Sequence, residues 1–547
     1  MKSRVVRTLC ASILALALVG CGGSGGAGSS PGAGGSVVLP EESRLSLTLE
    51  WPAITRLVPL AATSVQIEAL RSDDSVVNSV TVPRPEAGGK VTESLRVPKG
   101  DGYRVRATAR DAKGKVLGLS TVGPVRLSPG ATAELEIAVE GDISKIETTT
   151  TSLGMGKAEF RKIEARAFNR SGVPVMVNPD RLAWNVDNPA ILRVQNLTTQ
   201  AADGFLVVEG VAAGTANVFL RDLETGLQAV GLPVQVIDFT EEPLDVPGQS
   251  IEVTTAISDD GTSIAGTSFN LRSISSQGGD TYERVDYRPW IKKGSGPIEF
   301  LRPPVTVWSL GLIVLRMSRN GQKLYDFDNA WNNSGDQIGV LNQRITALSG
   351  DGQAACVVVS PGNQLRWQNF STGEVITVNS HPNYLSEDGT NGIGYDPVSK
   401  TLFQWTTTGG SVPISIPGHI EVNSIVGASS DVRTAYGRAR DILLNEEFNY
   451  RWTPTTGFQR IPFSVGIQAV SGDGETVAAV TRDGTYRLFT IYLWSPKLGQ
   501  IVLKRTFEQD SLLTVTVSAL SYDGGVIAVN RLEERNVERT YIMRLNR

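Results

Sequence analysis

The chain has almost nothing with which to do nucleophilic or metal chemistry. It holds 2 histidines and 3 cysteines in 547 residues. A nucleophile–base pair usually needs a histidine. His381, in NSHPNY, and His419, in IPGHIE, read instead as loop residues in equivalent places of adjacent repeats. Two histidines and one free cysteine do not assemble a zinc site, so neither metal nor cofactor is expected. No G-x-S-x-G, P-loop or dinucleotide fingerprint occurs where a parallel sheet could support it. Beyond residue 20 no apolar run is long enough to span a bilayer as a helix. Positive charge is not in excess either, with 52 Lys and Arg against 56 Asp and Glu. The net charge of −4 falls to about −7 without Lys2, Arg4 and Arg7, which argues against a nucleic-acid partner.

Cysteine is informative where it does occur. The chain opens MKSRVVRTLCASILALALVGCGG, with a charged start and an apolar run over residues 8–20. That build is a secretory signal, too short to span a membrane. It ends in Leu18-Val19-Gly20-Cys21, which resembles the lipobox of bacterial lipoproteins. The resemblance implies removal of residues 1–20 and acylation of Cys21, with the membrane as a partner through that lipid. Gly22 follows where an aspartate would imply inner-membrane retention, so the expected place is the cell envelope at the outer membrane. Cys10 would leave with the signal. Cys356, in AACVVV, is then a lone thiol, expected as a small buried apolar side chain. Residues 21–42 supply the lipidated cysteine and a tether. Its Gly/Ser-rich part, GGSGGAGSSPGAGGS, has a flexible reach of roughly 20 Å.

Beyond the tether helical periodicity is lacking, and alternation is abundant. RLSLTLEW, SVQIEAL, GYRVRATARD and ATAELEIAVE alternate between turn signals such as KGDG and DAKG. Several short strands in about 100 residues predict a β-sandwich over 43–141. Tyr103 and Trp51-Pro52 make it loosely similar to fibronectin type III domains. Over 142–238 the marks are Ala165 and Ala167 before a turn at Asn169–Gly172, then Trp184, Asn188-Pro189 and Gly210 to Gly214. These resemble the bacterial Ig-like domains of intimin and invasin type. The resemblance implies a spacer or adhesive sandwich with Trp184 in its core and no chemistry of its own.

Residues 240–547 repeat. Ser-x-Asp-Gly occurs at 258–261, 349–352, 386–389, 471–474 and 521–524, and weaker copies stand at Ser318-Arg319-Asn320-Gly321 and Ser429-Ser430-Asp431-Val432. The seven copies are 31 to 60 residues apart. Six carry a downstream tryptophan before a glycine turn: Trp290, Trp331, Trp367, Trp405, Trp452 and Trp494. Each unit reads as strand, turn, strand of small residues, loop, tryptophan strand, turn, last strand. Four strands per repeat predict a propeller blade, and 308 residues give 44 per blade over seven blades. The seventh unit lacks its last strand. PLDVPG at 243–248 resembles PISIPG at 413–418, so the N-terminal strand of the domain is expected to close the ring. The fold class is therefore all-β, with two N-terminal sandwiches followed by a seven-bladed propeller closed by an N-terminal strand. The Ser-x-Asp-Gly units resemble bacterial HAF-type extracellular repeats, which implies fold and location more than activity. Asp and Gly are adjacent, unlike the sialidase Asp-box. Such a turn needs Ser and Asp to cap backbone N–H groups and Gly to adopt positive φ. One Asp per turn does not supply the six to eight oxygens of a calcium site.

Two functions remain open. One is a binding or scaffold module acting through the propeller face on a protein or glycan. The other is an extracytoplasmic hydrolase or lyase, directed at a glycan or other polymer, with its site at the propeller mouth. No catalytic residue stands out. Loops between the small-residue strand and the tryptophan strand are long in blades one, five, six and seven, which are neighbours in a closed ring. They bring Arg284, Arg440, Glu446, Arg531, Glu534 and Arg535 into one sector as candidate binding residues.

Overall fold

The computed structural model describes residues 43–547 apart from short internal segments, among them 52–61, 196–204, 302–315, 505–513 and 533–537. Cys21, Glu534, Arg535 and His381 lie outside the described residues. The described chain is built of strands, with one short 3-10 turn at Pro179–Arg181.

The first sandwich packs two sheets. Ser43–Trp51 pairs antiparallel with Gly89–Val97 and parallel with Thr132–Ala138. The facing sheet runs Val76–Pro83, Ala62–Leu70, Gly100–Asp111, Val116–Leu127. Alternation decides the core. Leu45, Leu47, Leu49 and Trp51 point inward onto Val65, Ile67, Val105 and Ala107, all buried, while the residues between them meet solvent. In the second sandwich Phe160–Phe168 pairs with Phe205–Gly210, and Gly214–Asp222 lies between Leu182–Val186 and Leu232–Leu244. Met155, Ile163, Val208, Val218, Val234 and Val236 fill it. Trp184 packs at the margin of that core, half-buried.

The propeller has seven four-stranded antiparallel blades. Six are continuous in sequence. The seventh comprises Thr514–Leu520, Val526–Leu532, Glu538–Asn546 and, as its outer strand, part of Leu232–Leu244. Asp238 to Leu244 pair with Asn546 to Thr540. The ring is thus closed by an N-terminal strand, but the segment is 238–244 rather than 243–248. The reason is continuity. Leu232–Leu244 is a 13-residue strand whose first half completes the second sandwich and whose second half completes the propeller.

The second sandwich also sits against the outer strand of blade six, Gly499–Lys504. The approach is very close. A Cβ on Gly154 would lie 2.7 Å from Ile501 Cγ1, and one on Gly156 would run into the Val502 carbonyl. The glycines of Leu153-Gly154-Met155-Gly156 are therefore spacing residues at a contact between domains. Buried Glu159 ties the joint. Its Oε2 accepts from Gly156 N at 2.6 Å and from Val502 N at 3.2 Å, and its Oε1 pairs with Arg161 at 2.7 Å.

Candidate functional site

Asp473 is a turn residue, as are its counterparts. In all seven turns the buried serine hydroxyl donates to the Asp or Asn side chain at 2.5–2.9 Å. The same hydroxyl accepts the N–H five residues on at 2.9–3.0 Å. The carboxylate, or the Asn320 amide oxygen, accepts the N–H two residues further along at 2.7–3.0 Å. In six turns the fourth residue is a glycine at φ +67° to +71°. In the fifth it is Val432, at φ +53°.

The variable second position of the turn carries the site. Second- and third-position residues of the turns form a chain of main-chain hydrogen bonds around the propeller axis. Asp259 N donates to Arg319 O, Arg319 N to Gly350 O, and Asp351 N to Glu387 O. On the far side Ser430 N donates to Gly472 O, Asp473 N to Tyr522 O, and Tyr522 N back to Asp259 O. Six of the seven junctions are joined in this way. Between blades four and five no such bond is present among the described residues. The side chains converge as well. Arg319 is 3.6 Å from Glu387, and a Cβ on Gly472 would lie 2.6 Å from the Tyr522 ring and 3.1 Å from Asp259 Oδ1. Burial pushes the Asp259 carboxyl up to about 6. Arg319 works against this, and Glu387 and Asp260 add to it.

The sign of that shift gives a testable consequence. Asp259 favours folding below the ordinary carboxylate range, and this contribution is lost as pH rises to about 6. Asp259→Asn is therefore expected to stabilise the protein at pH 7.5, by roughly 1–2 kcal/mol once solvent screening of a partly exposed group is allowed for. Urea midpoints of both proteins at pH 5 and 7.5 would show it. A gain of the same size at both pH values would count against the assignment.

Between blades four and five, where the axial chain is broken, lies a groove of about 1070 Å³. One wall is Ser386, Glu387, Asp388 and Gln404 to Thr406. The other is Asp431 to Thr434, Arg451 and Thr453 to Thr455. Glu387 is 57% exposed, Arg433 is exposed, and Arg451 pairs with Glu475 at 3.2 Å. The Asp388 carboxyl is held below the usual range despite burial, by hydrogen bonds from Ser386 and Thr390. Trp405 lines the groove but is 2% exposed, so it presents no flat ring face.

The residues expected from the loop sector fare differently. Arg440 is exposed and bonds Asn445, and Glu446 pairs with Arg460. Arg284 falls in Gly279–Lys293, of which only the strand pairing is described at that point. Arg531 does not belong to a binding surface. It is 7% exposed, paired with Glu241 of the closing strand and stacked 3.6 Å over the Tyr541 ring. Its position beside a long loop hid a role in ring closure. The sector is also partly occupied by the chain itself, since Arg126 of the first sandwich lies 3.8 Å from Asp441 in the blade-five loop. His419 is 3.9 Å from the same Asp441. Cys356 is fully buried, and burial pushes its thiol up to about 12, as suits a packing residue.

Sequence reasoning missed the groove. Its only linear sign is the valine that ends the fifth turn.

The strand pairing thus defines a seven-bladed β-propeller joined to two β-sandwiches. No family model matches the chain, and no curated protein matches it. Among solved structures it is similar to the β-propeller domain of Cps50 (Swd1) from Myceliophteria thermophila, with 13% identity over 55% of this chain and 98% of that one, at a TM-score of 0.32. It is also similar to the β-propeller domain of the Trilobed protease from Pyrococcus furiosus, with 12% identity over 52% and 79%, at 0.27. A protein of unknown function from Bacteroides thetaiotaomicron matches at 11% identity over 74% and 97%, at 0.28. The blade count rests on the pairing of strands and not on these matches.

Proposed function

We propose that this protein is a lipid-anchored protein of the bacterial cell envelope, held at the outer membrane through Cys21. In this reading its propeller binds an extended polar segment of a partner protein in the groove between blades four and five. The two sandwiches are the stalk, the second of them of bacterial Ig-like type, and the propeller units are of HAF type. The observation that carries the binding role is the groove. It is large enough for several residues of an extended chain. It offers Glu387 and Arg433 as charges of opposite sign, backed by the amides of Asn391 and Gln404 and the hydroxyls of Thr406, Thr453 and Thr455. Such walls suit main-chain amides and side chains of mixed charge. A sugar ring would need an aromatic face, and the one tryptophan present is turned inward. The groove's two aspartates, Asp388 and Asp431, are engaged as turn acceptors and Glu387 lies beside Arg319, which supports binding over proton transfer.

Two measurements test this reading. Cys21→Ser is expected to move the protein from the membrane to the soluble fraction. Retention on membranes after a salt wash would remove the lipid anchor. On arrays of random peptides and of glycans, the full mature chain is expected to bind peptides. Thr455→Trp, which fills the groove, is expected to weaken that binding at least tenfold. Equal binding by the variant, or binding to glycans alone, would overturn the peptide groove.

A further inference from the structure

The groove can be traced to one residue. At five of the other six junctions the left-handed glycine of a turn lies close to the serine of the preceding blade, and at the sixth Gly524 is pressed against Thr476. A Cβ on Gly352 would lie 2.9 Å from Ser318 Cβ, one on Gly389 3.0 Å from Ser349 Cβ, and one on Gly474 2.8 Å from Ser429 Cβ. A Cβ on Gly321 would lie 3.3 Å from Ser258 Cβ. Real Cβ atoms essentially never come within 3.0 Å of another atom and seldom within 3.4 Å, so such close nesting of neighbouring turns depends on the missing side chain. The fifth turn has the same backbone sense but carries valine, with a Cβ and two methyls. Those three carbons need the space that the glycines leave to their neighbours. A turn five nested as closely as the others would crowd turn four. At this junction the axial hydrogen bond is absent among the described residues, and here the groove opens, with Ser386 and Val432 both in its lining.

We propose that Val432 is a wedge that sets the spacing of blades four and five and so creates the binding groove. A β-branched residue rarely enters the left-handed region, because its Cβ crowds its own backbone. Val432 is kept there by burial. It is 6% exposed and packs in a cluster with Ile393, Leu402, Val422, Ala435 and Trp452, drawn from both blades. The wedge is thus seated in the core of the two blades that it separates. It is a positioning residue, acting on any ligand through the width of the groove. Its importance as a determinant of binding rests on the proposed peptide groove. Its effect on blade spacing does not.

The test reads spacing without any ligand. In the full chain, Val432→Gly is expected to let turn five close onto turn four. Amide hydrogen exchange at residues 387 and 388, whose counterparts donate across the other junctions, should then slow at least tenfold, with exchange at the turns of blades one and two unchanged. Val432→Ala, which keeps Cβ and loses both methyls, should give an intermediate slowing and guards against loss of folding in the glycine variant. Unchanged exchange in both folded variants would overturn the wedge. The peptide array separates the two ideas. Slowed exchange in a protein that never bound peptide sustains the wedge and sinks the groove's function. Peptide binding and exchange that both survive Val432→Gly sustain the groove and sink the wedge.

Discussion

A fragment that begins at residue 245 is expected to lose the protease resistance of the propeller. It lacks the seven residues from Asp238 to Leu244 that pair with the last strand of blade seven. At about 1 kcal/mol for each net hydrogen bond, the lost ladder alone amounts to roughly 5–7 kcal/mol. Buried Ile542 and Met543 would also lose cover. That sum is comparable to the whole stability of an ordinary domain, about 5–15 kcal/mol. Limited proteolysis of 245–547 beside 43–547 would show early cleavage in blade seven, where an unpaired edge is left open. A peptide spanning residues 236–246, added in excess, should restore resistance. Equal resistance of the two proteins without the peptide would mean that the ring closes by other contacts. Because the same strand completes the second sandwich, cutting it is also expected to loosen that domain.

Arg531→Ala is expected to destabilise the protein by about 3–5 kcal/mol, because it leaves the Glu241 carboxylate buried opposite an alanine. Denaturant unfolding would measure it. The double replacement Arg531→Met with Glu241→Gln removes both charges and should recover most of the loss, since exchanging a buried pair for uncharged groups of similar volume is often nearly neutral. Equal stability of Arg531→Ala and the wild type would place the guanidinium in solvent. It would also restore Arg531 as a surface residue.

Much of the architecture was legible because it is local. Each Ser-x-Asp-Gly turn is satisfied by hydrogen bonds among residues no more than five apart, so its sequence carries its geometry seven times over. The six tryptophans are 0–6% exposed, as repeated apolar positions should be. The displaced strand was legible as a missing element, but its register was not. A strand shared by two domains has no sequence mark separating its halves, and the pairing of Asp238 with Asn546 spans nearly the whole propeller. No local sign marks Gly154 and Gly156 as contact residues, because the Ile501 and Val502 that they approach lie some 350 residues away.

The sequence by itself determined the all-β class, the seven repeats, the need for a closing strand, the identity of Asp473 as a turn residue and the packing role of Cys356. All of these depend on alternation, on spacing or on contacts within a few residues. Only the tertiary structure decided that Arg531 is a buried clasp, that the first sandwich reaches the blade-five loop, and that Asp259, Arg319, Glu387 and Tyr522 meet at the axis. It also decided that one valine among six glycines marks a groove. In the linear chain Val432 is a weak copy of a repeated turn. In the ring it meets a neighbouring blade, and the space between two blades is a property of neither sequence segment alone.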